Sequence, residues 1–120
     1  MSSITTHVLD VALGRPARAV PVTLEFRPVD DASPNGGQWR LVGSGLTDVD
    51  GRQRTLVPAD TQLAAGTYRL TFDTDAYFAA SSIQGFYPAV TVVFSVLDVS
   101  AHYHVPLLLS PFGYTTYRGS

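Results

Sequence analysis

The residues best suited to proton transfer are histidines, and two of the three stand two positions apart. His102 and His104 flank Tyr103 in a segment that alternates like a β-strand, and alternate residues of a strand share a face. Both imidazoles are therefore expected on one face. The opposite face is apolar and belongs in a core: Tyr103, Val105, Leu107 and Leu109. Imidazole exchanges protons near neutral pH, which suits acid–base catalysis, but two solvated surface histidines would show the same spacing.

A metal site is another interpretation of these histidines. His7, distant in sequence, could complete a three-histidine zinc site of the hydrolytic type. The spacing does not exclude this site, and proton transfer does not require it.

Arg52 is a candidate for binding negative charge. It follows Asp50-Gly51, a dipeptide typical of tight turns. Its guanidinium would either lie in solvent or point into a cavity, where its fixed donors bind anions or carbonyl oxygens. At the other end of the sequence, residues 114–120 alternate like a strand. Such a strand would hold Tyr117 and Ser120 at defined positions instead of in a frayed tail.

The elements that must position these residues are mostly strands, because apolar residues recur with a period of two. The three clearest stripes are Val22, Leu24 and Phe26; Tyr68, Leu70 and Phe72; and Val90, Val92, Phe94 and Val96. Turn-forming residues separate the stripes at 14–16, 33–37, 50–51 and 110–113. Residues 75–81 depart from the pattern and predict a short helix with Asp75 as its N-cap. The spacing predicts an all-β sandwich of two sheets, in one domain spanning residues 1–120.

Length and composition limit the classes of function. The chain has 120 residues, no cysteine and a net charge of −2. Thiol chemistry and disulfides are therefore excluded, and nucleic acid is not expected as a partner, because phosphate binding needs a basic patch. No apolar run approaches the roughly 20 residues of a membrane helix, and no signal-peptide pattern is visible at the N-terminus. We expect a soluble, cytoplasmic protein with no membrane partner.

The surface is expected to be partly covered by other subunits. Charged residues make up only 15% of the chain, below the usual quarter. On the third apolar stripe, Val93 and Leu97 fall on the outward face. Exposed apolar side chains on a strand favour burial against a partner, so the sequence predicts an oligomer.

Three segments together resemble the signatures of the 5-hydroxyisourate hydrolase family, enzymes with a transthyretin-like fold. The first is Thr6-His7-Val8-Leu9-Asp10, followed by Gly14-Arg15-Pro16-Ala17. The second is Thr47-Asp48-Val49-Asp50-Gly51-Arg52. The third is His102-Tyr103-His104-Val105-Pro106-Leu107-Leu108-Leu109-Ser110-Pro111, with the tetrapeptide Tyr117-Arg118-Gly119-Ser120. The resemblance runs in matching order from about residue 4 to residue 120.

The resemblance implies a transthyretin-like (prealbumin-like) sandwich of two four-stranded sheets with one short helix. It also implies a homotetramer with active sites at the subunit interface, and hydrolysis of 5-hydroxyisourate in urate degradation toward allantoin. No metal and no organic cofactor is expected. The implied catalytic residues are His7, Arg52, His104 and Ser120, and the implied substrate-binding residues are His7, Arg52, Tyr117 and His102. We expect His7 and His104 to share the role of base, with His104 preferred, and Arg52 to stabilise the oxyanion.

Transthyretin itself, a hormone carrier of similar fold, is the alternative, and it implies a small-ligand carrier without catalysis. Four positions distinguish the two branches. His7 stands where the carrier has lysine, Arg52 where it has an acid, and His104 and Tyr117 where it has channel threonines. These replacements favour the enzyme, because they add groups that transfer protons and donate hydrogen bonds.

Overall fold

The computed structural model describes residues 4–28 and 38–120. The turn predicted at 33–37 lies outside the described residues. In chain order the elements are β1 (Ile4–Asp10), β2 (Arg15–Pro16), β3 (Pro21–Pro28), β4 (Arg40–Leu46), β5 (Arg52–Gln53), β6 (Gly66–Phe72), α1 (Thr74–Ala79), β7 (Val90–Val96), β8 (Tyr103–Ser110) and β9 (Gly113–Thr116).

The strands form two sheets that enclose one core. Within the described residues, one sheet has the order β2-β1-β8-β9 with β5 also paired to β1, and the other has the order β4-β3-β6-β7. The predicted all-β sandwich of two sheets is confirmed. The first sheet has five strands instead of four, because the two-residue strands β2 and β5 both pair with the edge of β1 that β8 leaves open.

The core lies between the sheets and follows the predicted alternation. Its buried side chains include Val22, Leu24, Leu70 and Phe72 from one sheet and Tyr103, Val105, Leu107 and Leu109 from the other. Burying one aliphatic side chain of this size contributes on the order of 1.5–3 kcal/mol. The apolar face of β8 therefore holds that strand in place and orients its opposite face, which carries the histidines.

Strand β7 presents apolar residues on both of its faces. Val90 and Val96 are fully buried, whereas Val93 is 55% and Leu97 80% exposed. The outward orientation predicted for these two residues is confirmed. Leu97, which directly follows β7, is left mostly uncovered by the residues that the structure describes.

The helix begins one residue before the predicted start and ends two residues before the predicted end. Asp73, not Asp75, is the N-cap, because its carboxylate accepts a hydrogen bond from the Ala76 amide at 3.0 Å. The helix ends early because the chain turns at Ser82, whose φ is 57°. No helix in residues 4–28 and 38–120 is long and apolar enough to cross a membrane.

Candidate functional site

Three neighbouring strands bring polar side chains together on the outer face of the five-stranded sheet. Parallel pairing of β1 with β8 places Thr5 beside His104. Antiparallel pairing of β1 with β5 places His7 beside Arg52. Directly opposite residues on paired strands project to the same side of a sheet, so these four side chains share one face. The start, middle and end of the sequence meet there.

A cleft of about 390 Å³ opens on this face. Four of the residues that line it were predicted from the sequence, and three were not. The predicted ones are Arg52, His102, His104 and Ser120, and the additional ones are Thr5, Thr6 and Arg54. The cleft therefore combines cations that can hold oxygen atoms with imidazoles that can accept a proton.

The turn before Arg52 is held by the side chain of Asp48. One carboxylate oxygen of Asp48 accepts hydrogen bonds from the backbone amides of Asp50 and Arg52, both at 2.9 Å. The Arg52 amide is the main cause that keeps the pKa of Asp48 below its ordinary value, so the acceptor stays charged. Gly51 has a φ of 77°, and a β-carbon there would collide with the carbonyl oxygen of Val8. The turn thus requires glycine and fixes the point at which Arg52 leaves the backbone.

The same turn orients His7. Nε2 of His7 lies 2.8 Å from the backbone carbonyl oxygen of Asp50. A carbonyl oxygen only accepts, so Nε2 carries the proton and donates it. In neutral His7 the free lone pair is therefore on Nδ1. His7 lies beside Arg52, but it is not among the residues that line the cleft.

A single hydroxyl group connects the other two imidazoles. Oγ1 of Thr5 lies 2.8 Å from Nδ1 of His104 and 3.0 Å from Nε2 of His102. The two rings lie within 19° of parallel, with their centroids 6.5 Å apart. These contacts confirm that the two histidines share a face, and they show that a threonine from the other end of the sequence holds both.

His104 is electrostatically biased toward its neutral form. Its burial is the largest cause that lowers its pKa, and the positive charge of Arg52 and the neighbouring imidazoles of His7 and His102 lower it further. A neutral imidazole can accept a proton, whereas an imidazolium cannot. The cleft therefore contains a proton acceptor that remains available below the usual titration range of histidine.

The C-terminal residues reach the cleft by pairing with β8 beyond the end of β9. The amide of Gly119 donates to the carbonyl oxygen of His104 at 2.7 Å. A β-carbon at residue 119 would lie 2.6 Å from Cδ2 of His104 and 3.3 Å from Cγ of Pro106. The imidazole thus packs directly against the glycine backbone, and Ser120 follows at the cleft.

Tyr117 is not brought into this cleft. Its side chain is 55% exposed, and together with Arg118 it lines a separate apolar cavity of about 220 Å³ next to Val92 and Phe94. Its predicted role in substrate binding stays a prediction, and within one chain its position does not add to the cleft.

Two of the missed residues carried a signal in the sequence. Arg54 is two positions after Arg52, and Thr5 is two positions before His7, so strand alternation places each on the same face as its predicted neighbour. The alternation that places the two histidines on one face applies equally to Thr5 and Arg54. The hydroxyl contacts of Thr5 had no signal, because they depend on the pairing of β1 with β8.

The three-histidine zinc site left open by the spacing gains no support from the geometry. Across the described ranges, no group of three or more histidine, cysteine, aspartate or glutamate side chains is placed to hold a metal ion. Nε2 of His7 is bonded to a carbonyl oxygen, and the nearest nitrogens of His102 and His104 face Thr5. A metal-free reaction stays a prediction.

Comparison with known proteins identifies the family. Residues 4–119 match the family model described as the HIUase/transthyretin family. The chain belongs to this family. It is 44% identical, over 119 residues, to a probable 5-hydroxyisourate hydrolase of Caenorhabditis elegans, and the match covers 99% of this chain and 82% of that protein.

Solved structures of both branches of the HIUase/transthyretin family share the fold. A 5-hydroxyisourate hydrolase of Klebsiella pneumoniae has a TM-score of 0.81 at 31% identity, with all of both chains covered. A transthyretin of Sparus aurata has a TM-score of 0.86 at 32% identity, covering 99% of this chain and 97% of that chain. The fold therefore does not separate enzyme from carrier, and the side chains of the cleft must do so.

Proposed function

We propose that this protein hydrolyses 5-hydroxyisourate, an intermediate of urate breakdown. The observation that carries the proposal is a cleft in which the imidazole of His104, with its lowered pKa, lies with the guanidinium groups of Arg52 and Arg54. Relatives that carry the name 5-hydroxyisourate hydrolase support the same substrate. The product would be 2-oxo-4-hydroxy-4-carboxy-5-ureidoimidazoline, on the route to allantoin.

Opening a cyclic amide requires a base for water, a donor for the oxyanion and a proton for the leaving nitrogen. We assign the base to His104, which takes a proton from water while the water oxygen bonds to the carbonyl carbon. Arg52 stabilises the negative charge that develops on the carbonyl oxygen. When the oxyanion collapses, the carbon–nitrogen bond breaks, and His104 returns the proton to the nitrogen.

The remaining residues have supporting roles in this proposal. Ser120 lines the cleft, where its hydroxyl can hydrogen-bond the substrate. His7 has Nδ1 free to accept a second proton, because Nε2 is bonded to the Asp50 carbonyl. Arg54 adds a second cation that attracts an oxygen-rich substrate. His102 contacts the site through Thr5.

We also propose a homotetramer whose active sites form where subunits meet, with Tyr117 contributing at that interface, and a cytoplasmic location. The cleft lies on the outer face of a sheet, where another subunit can cover it. Exposed large apolar residues support assembly, two of them on or just after β7 and three within residues 112–117 around β9: Val93, Leu97, Phe112, Tyr114 and Tyr117. The absence of cysteine is compatible with a reducing compartment.

The deciding experiment mixes the full-length protein with freshly generated 5-hydroxyisourate and follows its ultraviolet absorbance. We expect decay much faster than the spontaneous reaction, and a large loss of that acceleration in Arg52→Ala. Arg18→Ala is the matched control, because Arg18 lies in a different surface cleft, near α1. Treatment with a strong chelator is expected to leave the rate unchanged.

A carrier would behave differently in the same experiment. Saturable binding of the compound without faster decay would contradict the proposed hydrolysis and support the non-catalytic branch. Activity that chelation abolishes and zinc restores would contradict the metal-free mechanism.

A further inference from the structure

We propose that Thr5 is a positioning residue whose hydroxyl couples the tautomers of His102 and His104, so that His104 presents an unprotonated Nε2 only while His102 accepts a hydrogen bond from Thr5. The inference rests on the proposed function for the use that is made of this coupling. The coupling itself is a property of the free protein and can be measured without substrate.

The argument begins with the single proton of the Thr5 hydroxyl. Oγ1 lies within hydrogen-bond distance of one nitrogen from each ring, 2.8 Å from Nδ1 of His104 and 3.0 Å from Nε2 of His102. A hydroxyl donates one hydrogen bond and accepts others. If both nitrogens were unprotonated, the hydroxyl could donate to only one of them. The lone pair of the other nitrogen would then face a lone pair of the hydroxyl oxygen. If both carried protons, the hydroxyl hydrogen would have no acceptor among the described residues.

Two arrangements give the hydroxyl and both of the ring nitrogens that face it a hydrogen-bond partner. In the first, Nδ1–H of His104 donates to Thr5, and Thr5 donates to Nε2 of His102, which leaves Nε2 of His104 with a free lone pair. In the second, Nε2–H of His102 donates to Thr5, and Thr5 donates to Nδ1 of His104. Neutral His104 then carries its proton on Nε2. Only the first arrangement makes His104 a base at Nε2.

Protonation of His102 selects between the two arrangements. A protonated His102 carries hydrogen on both nitrogens, so its Nε2 must donate to Thr5 and the Thr5 hydroxyl must turn toward His104. His102 is exposed, whereas Thr5 is buried, so a proton from solvent can reach His102 while the oxygen of the Thr5 hydroxyl stays between the rings. A proton taken up at His102 thus removes the lone pair from Nε2 of His104 without charging His104.

The surroundings keep His104 in the neutral form to which this coupling applies. The charged and titratable groups around it are Arg52 and Arg54 from the β5 side, His7 from β1 and His102 from its own segment, with the hydroxyl of Ser120 from the tail. The charges that Arg52, His7 and His102 can carry are positive, and each opposes protonation of His104. Burial acts in the same direction on its pKa.

The test uses Thr5→Val, which removes the hydroxyl and keeps the branched shape suited to a strand, and Thr5→Ser, which retains a hydroxyl. Thr116→Val is the matched control. It removes the hydrogen bond that a threonine hydroxyl on the same sheet donates to the Pro106 carbonyl oxygen, and it changes no contact with either ring. In the ¹⁵N-labelled full-length protein near pH 7.5, ring nitrogen shifts report which nitrogen carries the proton.

We expect the wild type to show one predominant tautomer for each ring, with His104 protonated at Nδ1 and His102 unprotonated at Nε2. Thr5→Val should show averaged nitrogen shifts for both rings, while Thr5→Ser and Thr116→Val keep the wild-type pattern. Unchanged single tautomers in Thr5→Val, with backbone shifts that show an intact fold, would overturn the coupling. The coupling would also be overturned if, in the wild type, the two ring nitrogens that face Thr5 were both protonated or both unprotonated.

A kinetic measurement adds a second readout. With 5-hydroxyisourate, Thr5→Val should lower kcat by about twofold to tenfold, the worth of one net hydrogen bond, with KM nearly unchanged, and Thr5→Ser should restore kcat. A change in KM without a change in kcat, or a Thr5→Ser variant that does not restore kcat, contradicts the positioning role. A wild type with coupled tautomers but no hydrolysis would instead contradict the proposed function alone.

Discussion

At the scale of single residues, the site works by fixing which nitrogen of each histidine is free. The Asp50 carbonyl oxygen accepts a hydrogen bond from Nε2–H of His7 and leaves Nδ1 available. Thr5 faces Nδ1 of His104, and Nε2 is available when Nδ1–H donates to Thr5. Neither assignment follows from residue type, because histidine has two chemically similar nitrogens whose roles depend on their hydrogen-bond partners.

The titration of His104 is the residue-scale prediction. Its midpoint is expected below 6.5, because burial first, and then the charge of Arg52, lowers its pKa. Arg52→Gln should raise the midpoint, while Arg18→Gln leaves it unchanged. Proton NMR of the ring gives the midpoint directly. A value at or above 6.5 in the folded protein would contradict the electrostatic account of the cleft.

The same shift affects stability with a definite sign. The folded pKa of His104 lies below the unfolded one, so the unfolded chain binds more protons between the two values. The contribution of His104 to the free energy of unfolding is therefore fully present above pH 6.5 and is lost as the pH falls through the folded pKa.

At the scale of elements, short segments place the proposed catalytic groups, and long strands hold those segments. The two-residue strand β5 places Arg52 beside His7, and the bridge at Gly119 brings the tail to His104. The first segment depends on an aspartate that closes its turn. The second depends on a glycine, which has no side chain to keep the tail away from His104. The catalytic geometry should therefore be sensitive to changes that leave the core intact.

Asp48→Ala should reduce kcat/KM by up to about a hundredfold. The turn before Arg52 would lose both hydrogen bonds that backbone amides donate to the carboxylate, and displacing a catalytic group by about 1 Å can lower the rate that much. Asp73→Ala is the matched control, because the Asp73 carboxylate also accepts from a backbone amide, that of Ala76 at the start of α1, and neither residue lines the cleft. Steady-state kinetics with circular dichroism distinguishes the two. Equal losses in both variants would show that the Asp48 turn has no specific role.

Gly119→Ala should lower activity by about tenfold or more, because the new β-carbon would force the His104 imidazole or the tail to move. In the control Gly113→Ala, the nearest atom to the new β-carbon is Oγ of Ser110 at 3.8 Å, an ordinary contact. Both variants should keep similar thermal stability. If Gly119→Ala retains normal kcat/KM and Gly113→Ala does too, the contact with His104 is not needed for catalysis.

At the scale of the whole molecule, the sandwich supports the site on an outer face and leaves apolar surface uncovered. Val93 lies on β7, an edge strand of its sheet, and Leu97 directly follows that strand, whereas the cleft lies on the other sheet. An edge strand with exposed apolar residues favours association. Assembly would cover this surface and complete sites that a single chain leaves open.

Light scattering is expected to report a tetramer at micromolar concentration, with a mass four times the 12.9 kDa of one chain. Leu97→Glu should weaken assembly, since a carboxylate would replace an exposed apolar side chain that the proposed interface would bury. Leu41→Glu is the control, because Leu41 is similarly exposed on β4, the opposite edge strand of the same sheet. A wild-type monomer with full activity would contradict both the tetramer and a shared active site.

Periodicity and motif order alone determined the class of fold and most of the candidate residues. The alternation along β8 predicted both the buried set and the shared face of His102 and His104, because a strand has a fixed period. The helix boundaries were wrong by one or two residues, because the cap is decided by which carboxylate reaches an amide, and Asp73 reaches that of Ala76.

Only the tertiary structure decided how distant segments combine. The role of Thr5 depends on the pairing of β1 with β8, which joins residues 97 and 99 positions apart, and no local pattern encodes that register. The separation of Tyr117 from the cleft, the tautomer of His7 and the lowered pKa of His104 likewise depend on neighbours brought close by folding. Residue types set what chemistry is available, and the strand pairing sets which groups perform it, because hydrogen bonds and charges act across space and not along the sequence.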